Sequence, residues 1–113
     1  MMIKRGDIYW AEFTKQKNSH VIYKTRPVIV VSNNTANRFS PIISVVPVTG
    51  QERKMLPTHV KISGHGLPGA STVLTEQVIS IDKTSLHNKI GTLAGTDELR
   101  EIDKCLCIQL GVA

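Results

Sequence analysis

The stretch Thr25-Arg26-Pro27-Val28-Ile29-Val30-Val31-Ser32 decides the fold. Its apolar run, residues 28–31, is unbroken and β-branched, which predicts a strand buried on both faces. Proline cannot donate to a ladder, so we expect Pro27 to be the first residue of this strand. Arg26 would then lie at the entrance of a rigid element, where its fork of donors suits a phosphate or a carboxylate. From sequence alone, a surface ion pair is at least as good an interpretation of this arginine.

The patterns on either side of this strand predict a curved, mainly antiparallel sheet. Alternating residues at 8–13 predict a first strand, and the polar, basic residues 14–25 predict a long loop. Pro47 indicates an edge or a bulge near the end of a later strand. Four further extended stretches are predicted, at residues 42–48, 58–62, 71–82 and 90–93. A turn or short helical piece at 33–40 precedes the first of them, and a glycine-rich turn at 63–69 lies between the second and the third.

A single helix is predicted at the C-terminal end of the chain. Thr96 suits the N-cap, acidic residues follow it, and Gly111 suits the C-cap. One apolar stripe should pack this helix against the sheet: Leu99, Ile102, Leu106 and Leu110. The 113 residues contain no repeat or linker, so we expect one domain, residues 1–113.

The charge distribution favours a polyanionic partner. Lysine and arginine number 14 and aspartate and glutamate 9, for a net charge of +5. Up to Asn88 there are 11 basic and 5 acidic residues (+6), and from Lys89 there are 3 and 4 (−1). The basic excess therefore lies away from the predicted helix, on the part that would meet nucleic acid.

Two further features concern the compartment. No stretch approaches the roughly 18 apolar residues of a membrane span, and no signal-peptide pattern follows the N-terminus, so the cytoplasm is expected. Cys105 and Cys107 are about 200° apart around the predicted helix, so they can neither pair nor share a metal. They are interpreted as reduced thiols.

The residues that could carry chemistry are few. The four histidines and two cysteines have none of the spacings that bind zinc, and no acidic pair resembles a magnesium site. No metal and no cofactor is therefore predicted. The candidates that remain, each of which alone is more often structural, are Arg26, Thr49, Glu76, Gln77 and His20.

Seven short stretches, in their order and spacing, carry a resemblance to a known family. They are Lys4-Arg5-Gly6-Asp7-Ile8-Tyr9, Arg26-Pro27-Val28, Asn37-Arg38-Phe39-Ser40-Pro41, Val45-Val46-Pro47-Val48-Thr49, Leu56-Pro57-Thr58-His59-Val60, Leu74-Thr75-Glu76-Gln77 and Ile81-Asp82-Lys83. Over nearly its whole length the chain resembles the MazF/PemK (Kid) toxins of bacterial toxin–antitoxin systems. The resemblance implies a small SH3-like antiparallel β-barrel of the CcdB/PemK type that forms a homodimer. It also implies metal-independent cleavage of single-stranded RNA and an acidic antitoxin whose tail occupies the same groove.

The resemblance also implies roles for individual residues. The family's catalytic arginine and threonine fall on Arg26 and Thr49, and the histidine and aspartate of the PemK branch fall on His20 and Glu76. The predicted RNA-binding residues, in the basic loop of residues 15–24 and at the strand ends, are Ser19, Lys24, Gly50, Gln77 and Lys17. The chain also departs from the family pattern in the loop and at three further positions: residues 21–24, Leu74 in place of a catalytic arginine, Ile79 and Ser80.

These residue types suit attack of a ribose 2′-OH on its own phosphate. Arg26 can stabilise the charge that develops on the phosphate oxygens, and Thr49 can orient the same phosphate. His20 or Glu76 could transfer the protons, and the sequence leaves this choice open. A non-catalytic, CcdB-like toxin that binds DNA gyrase is the alternative from another class. A plain RNA-binding barrel would need exposed aromatic side chains, which the sequence does not indicate.

Overall fold

In a computed structural model, which describes residues 2–14, 17–21 and 23–112, strands make up most of the chain and a helix ends it. The elements are β1 (Asp7–Phe13), β2 (Lys24–Val30), α1 (Asn34–Phe39), β3 (Ile42–Thr49), β4 (His59–Ile62), β5 (Ser71–Leu74), β6 (Ile79–Asp82), β7 (Leu86–Thr92) and α2 (Asp97–Leu110). The predicted class, mainly antiparallel β with a C-terminal helix, is confirmed. Lys15 and Ile22 of the predicted loop lie outside the described residues.

The strands pair antiparallel in the order β4-β5-β3-β2-β1-β7, and β6 also pairs with β3. β3 changes its partner along its length. Residues 42–45 pair with β6, whereas Val48 and Thr49 pair with β5. Pro47, which lacks an N–H, lies between these two ladders, as its predicted position at an irregularity requires. β4 and β7 end the described path without pairing to each other, so the sheet curves but does not close into a barrel.

The core lies on both faces of β2. Ile29 belongs to the cluster that packs under α2, together with Ile102 and Leu106. Val28 and Val30 belong to the cluster on the opposite face. All three β2 side chains are fully buried, because successive residues of a strand point to opposite faces. The predicted strand with two buried faces is therefore confirmed.

The start of β2 differs from the prediction. β2 begins at Lys24, three residues before Pro27, because its pairing with β1 begins at Lys24. Over residues 24–27, β1 is the only strand that pairs with β2. The second neighbour, β3, joins only from Val28 onward. Pro27 therefore lies where β2 is still an edge strand, which proline tolerates, and is not the first residue of the strand.

Two further stretches are also rearranged. The predicted extended stretch 71–82 is interrupted by a 3₁₀ turn, Thr75–Gln77, so it forms two strands with different partners. The last strand, β7, begins at Leu86 and not at Ile90. Both differences arise at residues whose backbone hydrogen bonds depend on a distant strand, which a local pattern does not reveal.

The caps of α2 agree with the sequence. The Thr96 hydroxyl accepts a hydrogen bond from Leu99 N at 3.2 Å, and Gly111 adopts the left-handed conformation at φ 69°. The buried stripe is shorter than predicted, since Leu110 is 59% exposed. Cys105 is buried on this helix, and burial raises the pKa of its thiol, so it stays protonated at neutral pH. Among the described residues no helix has the length and apolar content needed to cross a membrane.

Candidate active site

A cavity of about 130 Å³ opens where β2 begins and β3 ends. It is lined by Ser19, His20, Val21, Tyr23, Arg26, Thr49, Gln51, Arg53 and Gln77. Five of the residues predicted from sequence are thus brought together: Arg26, Thr49, His20, Ser19 and Gln77. These residues come from the long loop, two strand ends and the 3₁₀ turn before β6, so only the folded chain assembles them.

The register of the sheet explains why Arg26 and Thr49 meet. β2 and β3 are antiparallel, and Val28 is paired with Pro47. In this antiparallel pair, a residue nearer the start of β2 lies beside a residue nearer the end of β3. The β2–β3 ladder ends at this pair; Arg26 lies two residues before it on β2 and Thr49 two residues after it on β3, and both line the cavity. Both side chains are therefore carried by rigid backbone and not by a loop.

Local hydrogen bonds hold both residues. Arg26 Nε donates to Tyr23 O at 3.1 Å, which ties the guanidinium to the end of the long loop. Thr49 is buried, and its Oγ1 accepts from Gln51 N at 3.2 Å. No acceptor in the described part of the chain takes the hydroxyl hydrogen of Thr49, so this O–H can be donated to a ligand in the cavity.

The loop residues contribute the other side of the cavity. Ser19 Oγ accepts from Val21 N at 3.0 Å, a short-range bond that shapes the backbone around His20. His20 itself is exposed. It lies on the wall of the cavity that Arg26 and Thr49 complete.

The cavity is a cationic environment. Arg26 and Arg53 both line it, together with His20, and none of the described residues that line it is an aspartate or a glutamate. Two guanidinium groups in one cavity attract an anion, and the fork of each group matches phosphate oxygens; the nearby Glu52 lines the adjoining cavity and not this one. Across the described ranges, no three histidine, cysteine, aspartate or glutamate side chains are grouped so that they could hold a metal ion.

Glu76 lies outside this cavity and contacts His59. Its Oε2 is 2.9 Å from His59 Nε2, and the His59 side chain is only 2% exposed. Because Leu56 N donates to His59 Nδ1 at 3.1 Å, the ring proton is on Nε2 and is donated to Glu76. Glu76 Oε1 is buried and has no hydrogen-bond partner among the described residues. The carboxylate thus holds His59, and a role in proton transfer stays a prediction.

The remaining predicted RNA-binding residues, Lys24, Gly50 and Lys17, do not line the cavity. The Lys24 ammonium lies 5.4 Å from the centroid of the Tyr23 ring. Gly50 lines a neighbouring cavity of about 430 Å³, which also contacts Gln51 and Arg53. Lys17 is exposed and lines neither cavity.

Sequence reasoning missed four lining residues: Val21, Tyr23, Gln51 and Arg53. Only Arg53 left a usable signal, since it lies four residues beyond Thr49 in a charged connection between two strands. Whether that connection turns back toward Thr49 or away from it depends on its path in space, which no local pattern specifies.

Comparison with known proteins identifies the family. A family model described as "PemK-like, MazF-like toxin of type II toxin-antitoxin system" matches residues 4–110. The chain belongs to this family. The match covers the whole sheet, both strand ends that form the cavity, and α2.

Solved structures of family members share the fold. MazF from Deinococcus radiodurans has 26% identity and a TM-score of 0.83, and each chain is covered to 99%. A MazE–MazF structure from the same organism has 27% identity and a TM-score of 0.78, with 100% of both chains covered. An endoribonuclease in complex with its cognate antitoxin, from a Mycobacterial species, has 23% identity and a TM-score of 0.75 over 99% of this chain and 96% of that one. At this last identity the likeness shows the fold alone.

Proposed function

We propose that this toxin is an endoribonuclease that cleaves single-stranded RNA without a metal ion. The observation that carries the proposal is that Arg26 and Thr49, near the ends of two neighbouring strands, line one cavity whose described lining residues include no carboxylate. Such a site suits a phosphate, and its described lining offers no carboxylate to a divalent cation. A relative of this fold is itself named an endoribonuclease.

The proposed step is an intramolecular transesterification. A base takes the proton of a ribose 2′-OH, and the 2′ oxygen forms a bond to the adjacent phosphorus. The bond from phosphorus to the 5′ oxygen breaks, and that oxygen takes up a proton. The products are a 2′,3′-cyclic phosphate and a 5′-OH. Arg26 stabilises the negative charge on the phosphate oxygens, and the Thr49 hydroxyl donates to one of them.

His20 is favoured over Glu76 for proton transfer. His20 lines the cavity with Arg26 and Thr49, whereas Glu76 is bonded to His59. The group that transfers the proton must lie within hydrogen-bond reach of it, directly or through one water, so the position of the side chain matters more than its type. Single-turnover cleavage rates distinguish them, since His20→Ala should lower the rate far more than Glu76→Gln does.

The residues around the cavity would bind the RNA on either side of the cleaved phosphate. Ser19 and Gln77 line the cavity itself, and Gly50 lines the adjoining one. Lys17 and Lys24 lie on the exposed loop and would attract the backbone through charge alone. These contacts fit a single strand, which can bend into a small opening between a loop and a sheet.

An acidic antitoxin is the proposed protein partner. The chain carries a net charge of +5, and the cavity is lined by cationic side chains. An acidic, extended segment of a partner would compete for the phosphate site because its carboxylates match the same guanidinium groups. The related MazF and MazE of Deinococcus radiodurans form a complex. We place this function in the cytoplasm, where the RNA substrate and the antitoxin would both be present.

A homodimer is also proposed. A 113-residue chain buries only a modest core, and this one leaves large apolar side chains exposed, among them Phe39 at 73% and Ile108 at 62%. Association would cover such side chains in a two-fold interface. Light scattering of the purified toxin at micromolar concentration should give the mass of two chains, and a mass of one chain at every concentration would refute the dimer.

The gyrase-binding alternative is less well supported. The matching family model is the PemK-like, MazF-like one, and a toxin that acts by binding a protein has no need of a paired arginine and threonine in a phosphate-sized cavity. Inhibition of gyrase supercoiling together with intact RNA would reverse this preference.

The decisive experiment is incubation of purified toxin with a long single-stranded RNA in excess EDTA. We expect cleavage at an undiminished rate and, by mass spectrometry, fragments that end in a 2′,3′-cyclic phosphate and begin with a 5′-OH. An Arg26→Ala variant purified in the same way is the control for contaminating nuclease. Loss of cutting in EDTA with recovery in magnesium, or fragments with a 5′-phosphate, would show that a metal or an activated water is used instead.

A further inference from the structure

We infer that Arg53 is a second phosphate-binding side chain of this cleavage site, acting with Arg26 on the charge of the transition state. The inference rests on the proposed function, and it assigns a role to a residue in the charged connection between β3 and β4. Three independent observations support it: the walls of the cavity, the partners of the arginines, and the anchoring of the connection.

Arg53 shares a cavity with Arg26 and Thr49. It lines the opening of about 130 Å³ together with both of them, and it is one of two arginines there. It also lines the adjoining opening of about 430 Å³, so it lies at the junction of the two. An RNA strand that places one phosphate against Arg26 and Thr49 therefore passes Arg53.

The partners of the five arginines differ. Arg5 and Arg100 form ion pairs with aspartates, Arg26 Nε donates to Tyr23 O, and the Arg38 guanidinium lies over the Phe39 ring. Arg53 makes no hydrogen bond, ion pair or ring contact with any residue in ranges 2–14, 17–21 and 23–112. Its guanidinium therefore keeps all five donors for a ligand.

The connection that carries Arg53 is held at both ends. At its start, Gln51 N donates to Thr49 Oγ1 at 3.2 Å. At its end, Leu56 N donates to His59 Nδ1 at 3.1 Å, and His59 N donates to Leu56 O at 3.0 Å. The buried contact of His59 with Glu76, at 2.9 Å, fixes this second anchor. Glu76, which the family resemblance associated with proton transfer, thus helps to position the connection that carries Arg53.

The chemistry calls for a second cation. As the 2′ oxygen attacks, the phosphate gains negative charge on its non-bridging oxygens, and Arg26 has already given Nε to the Tyr23 carbonyl. A second guanidinium, which cannot lose its proton at neutral pH, stabilises the added charge without a metal ion. Arg53 supplies this charge from the connection between β3 and β4 that lines the same cavity.

The test compares Arg53→Gln with Lys54→Gln, which removes the same charge from the next residue of the same connection but lines neither cavity. We expect Arg53→Gln to lower the single-turnover cleavage rate by about 10²-fold, and Lys54→Gln to leave it within twofold. Arg53→Lys keeps the charge but not the fork, so it should recover only part of the rate. Millimolar guanidinium chloride should restore cleavage to Arg53→Ala, whereas equal sodium chloride should not.

A binding measurement keeps this inference separate from the proposed function. With an uncleavable 2′-deoxy strand, the slope of log affinity against log salt should fall by about 0.7 for Arg53→Gln, the loss of one single-strand phosphate contact, and should not change for Lys54→Gln. If wild-type protein leaves RNA intact, the cleavage proposal fails, but this slope still decides whether Arg53 contacts a phosphate. Equal rates and equal slopes for the two glutamine variants would overturn the role of Arg53 alone.

Discussion

Arg26→Ala is expected to lower the single-turnover rate of RNA cleavage by about 10²–10³-fold, the usual effect of removing one preorganised donor from a charged transition state. The effect is large because the guanidinium is held on β2, in the cavity that Thr49 also lines, and needs no rearrangement when charge develops. Arg26→Lys should recover little of the rate, since an ammonium cannot offer two parallel donors to a phosphate. The rates are measured under enzyme excess with a labelled RNA that contains one cleavage site.

The fold should survive this substitution. Arg26 is half-buried and pairs with Ala11 of β1 through backbone atoms, which alanine retains. Circular dichroism and the urea midpoint of Arg26→Ala should therefore match those of the wild type closely. Arg100→Ala is the control, because Arg100 is exposed on α2, is paired with Asp97 and lies outside both cavities. Wild-type cleavage by a folded Arg26→Ala protein would remove Arg26 from the site.

An RNA with a single 2′-deoxyribose on the 5′ side of the cleaved phosphate should resist cleavage there by more than about 10³-fold. The reason is that the nucleophile is part of the substrate, and an intramolecular attacking group has a very high effective concentration that no free water matches. The affinity should change little, because the phosphates that Arg26 and the loop lysines contact are still present. Fluorescence anisotropy measures the binding, and gel analysis of the end-labelled RNA measures the cutting.

The matched control carries the deoxyribose on the 3′ side of the same phosphate. That sugar supplies the leaving 5′ oxygen and does not supply the nucleophile, so its cleavage should remain within a few-fold of the all-ribose RNA. Efficient cutting at the 5′-side deoxyribose would mean that water attacks the phosphate. The roles proposed for Thr49 and His20 would then have to be reassigned.

The sequence predicted the local elements whose signals are complete within a few residues. The run Val28–Val31 predicted a strand with two buried faces, and the structure confirms it for residues 28–30, since β-branched side chains on both sides of a strand need a core on both sides; β2 ends at Val30. Thr96 and Gly111 specified the ends of α2 through cap hydrogen bonds and a left-handed glycine. Where a signal depended on a second strand, as for Pro27 and the start of β2, the sequence prediction was wrong.

The candidate site likewise combines residues that the sequence identified with contacts that only the structure shows. Arg26 and Thr49 could be named from the sequence, because each lies at the end of an apolar run and the family resemblance marks both. The tertiary structure alone decided that they line one cavity, that Glu76 contacts His59, and that Arg53 lines the same cavity. In strands and helices the side chains that face the core recur at a fixed spacing, so the pattern of apolar and polar residues in the sequence reveals them. A connection such as residues 50–55 has no period, so its charged side chains take their positions only from the contacts that anchor its ends.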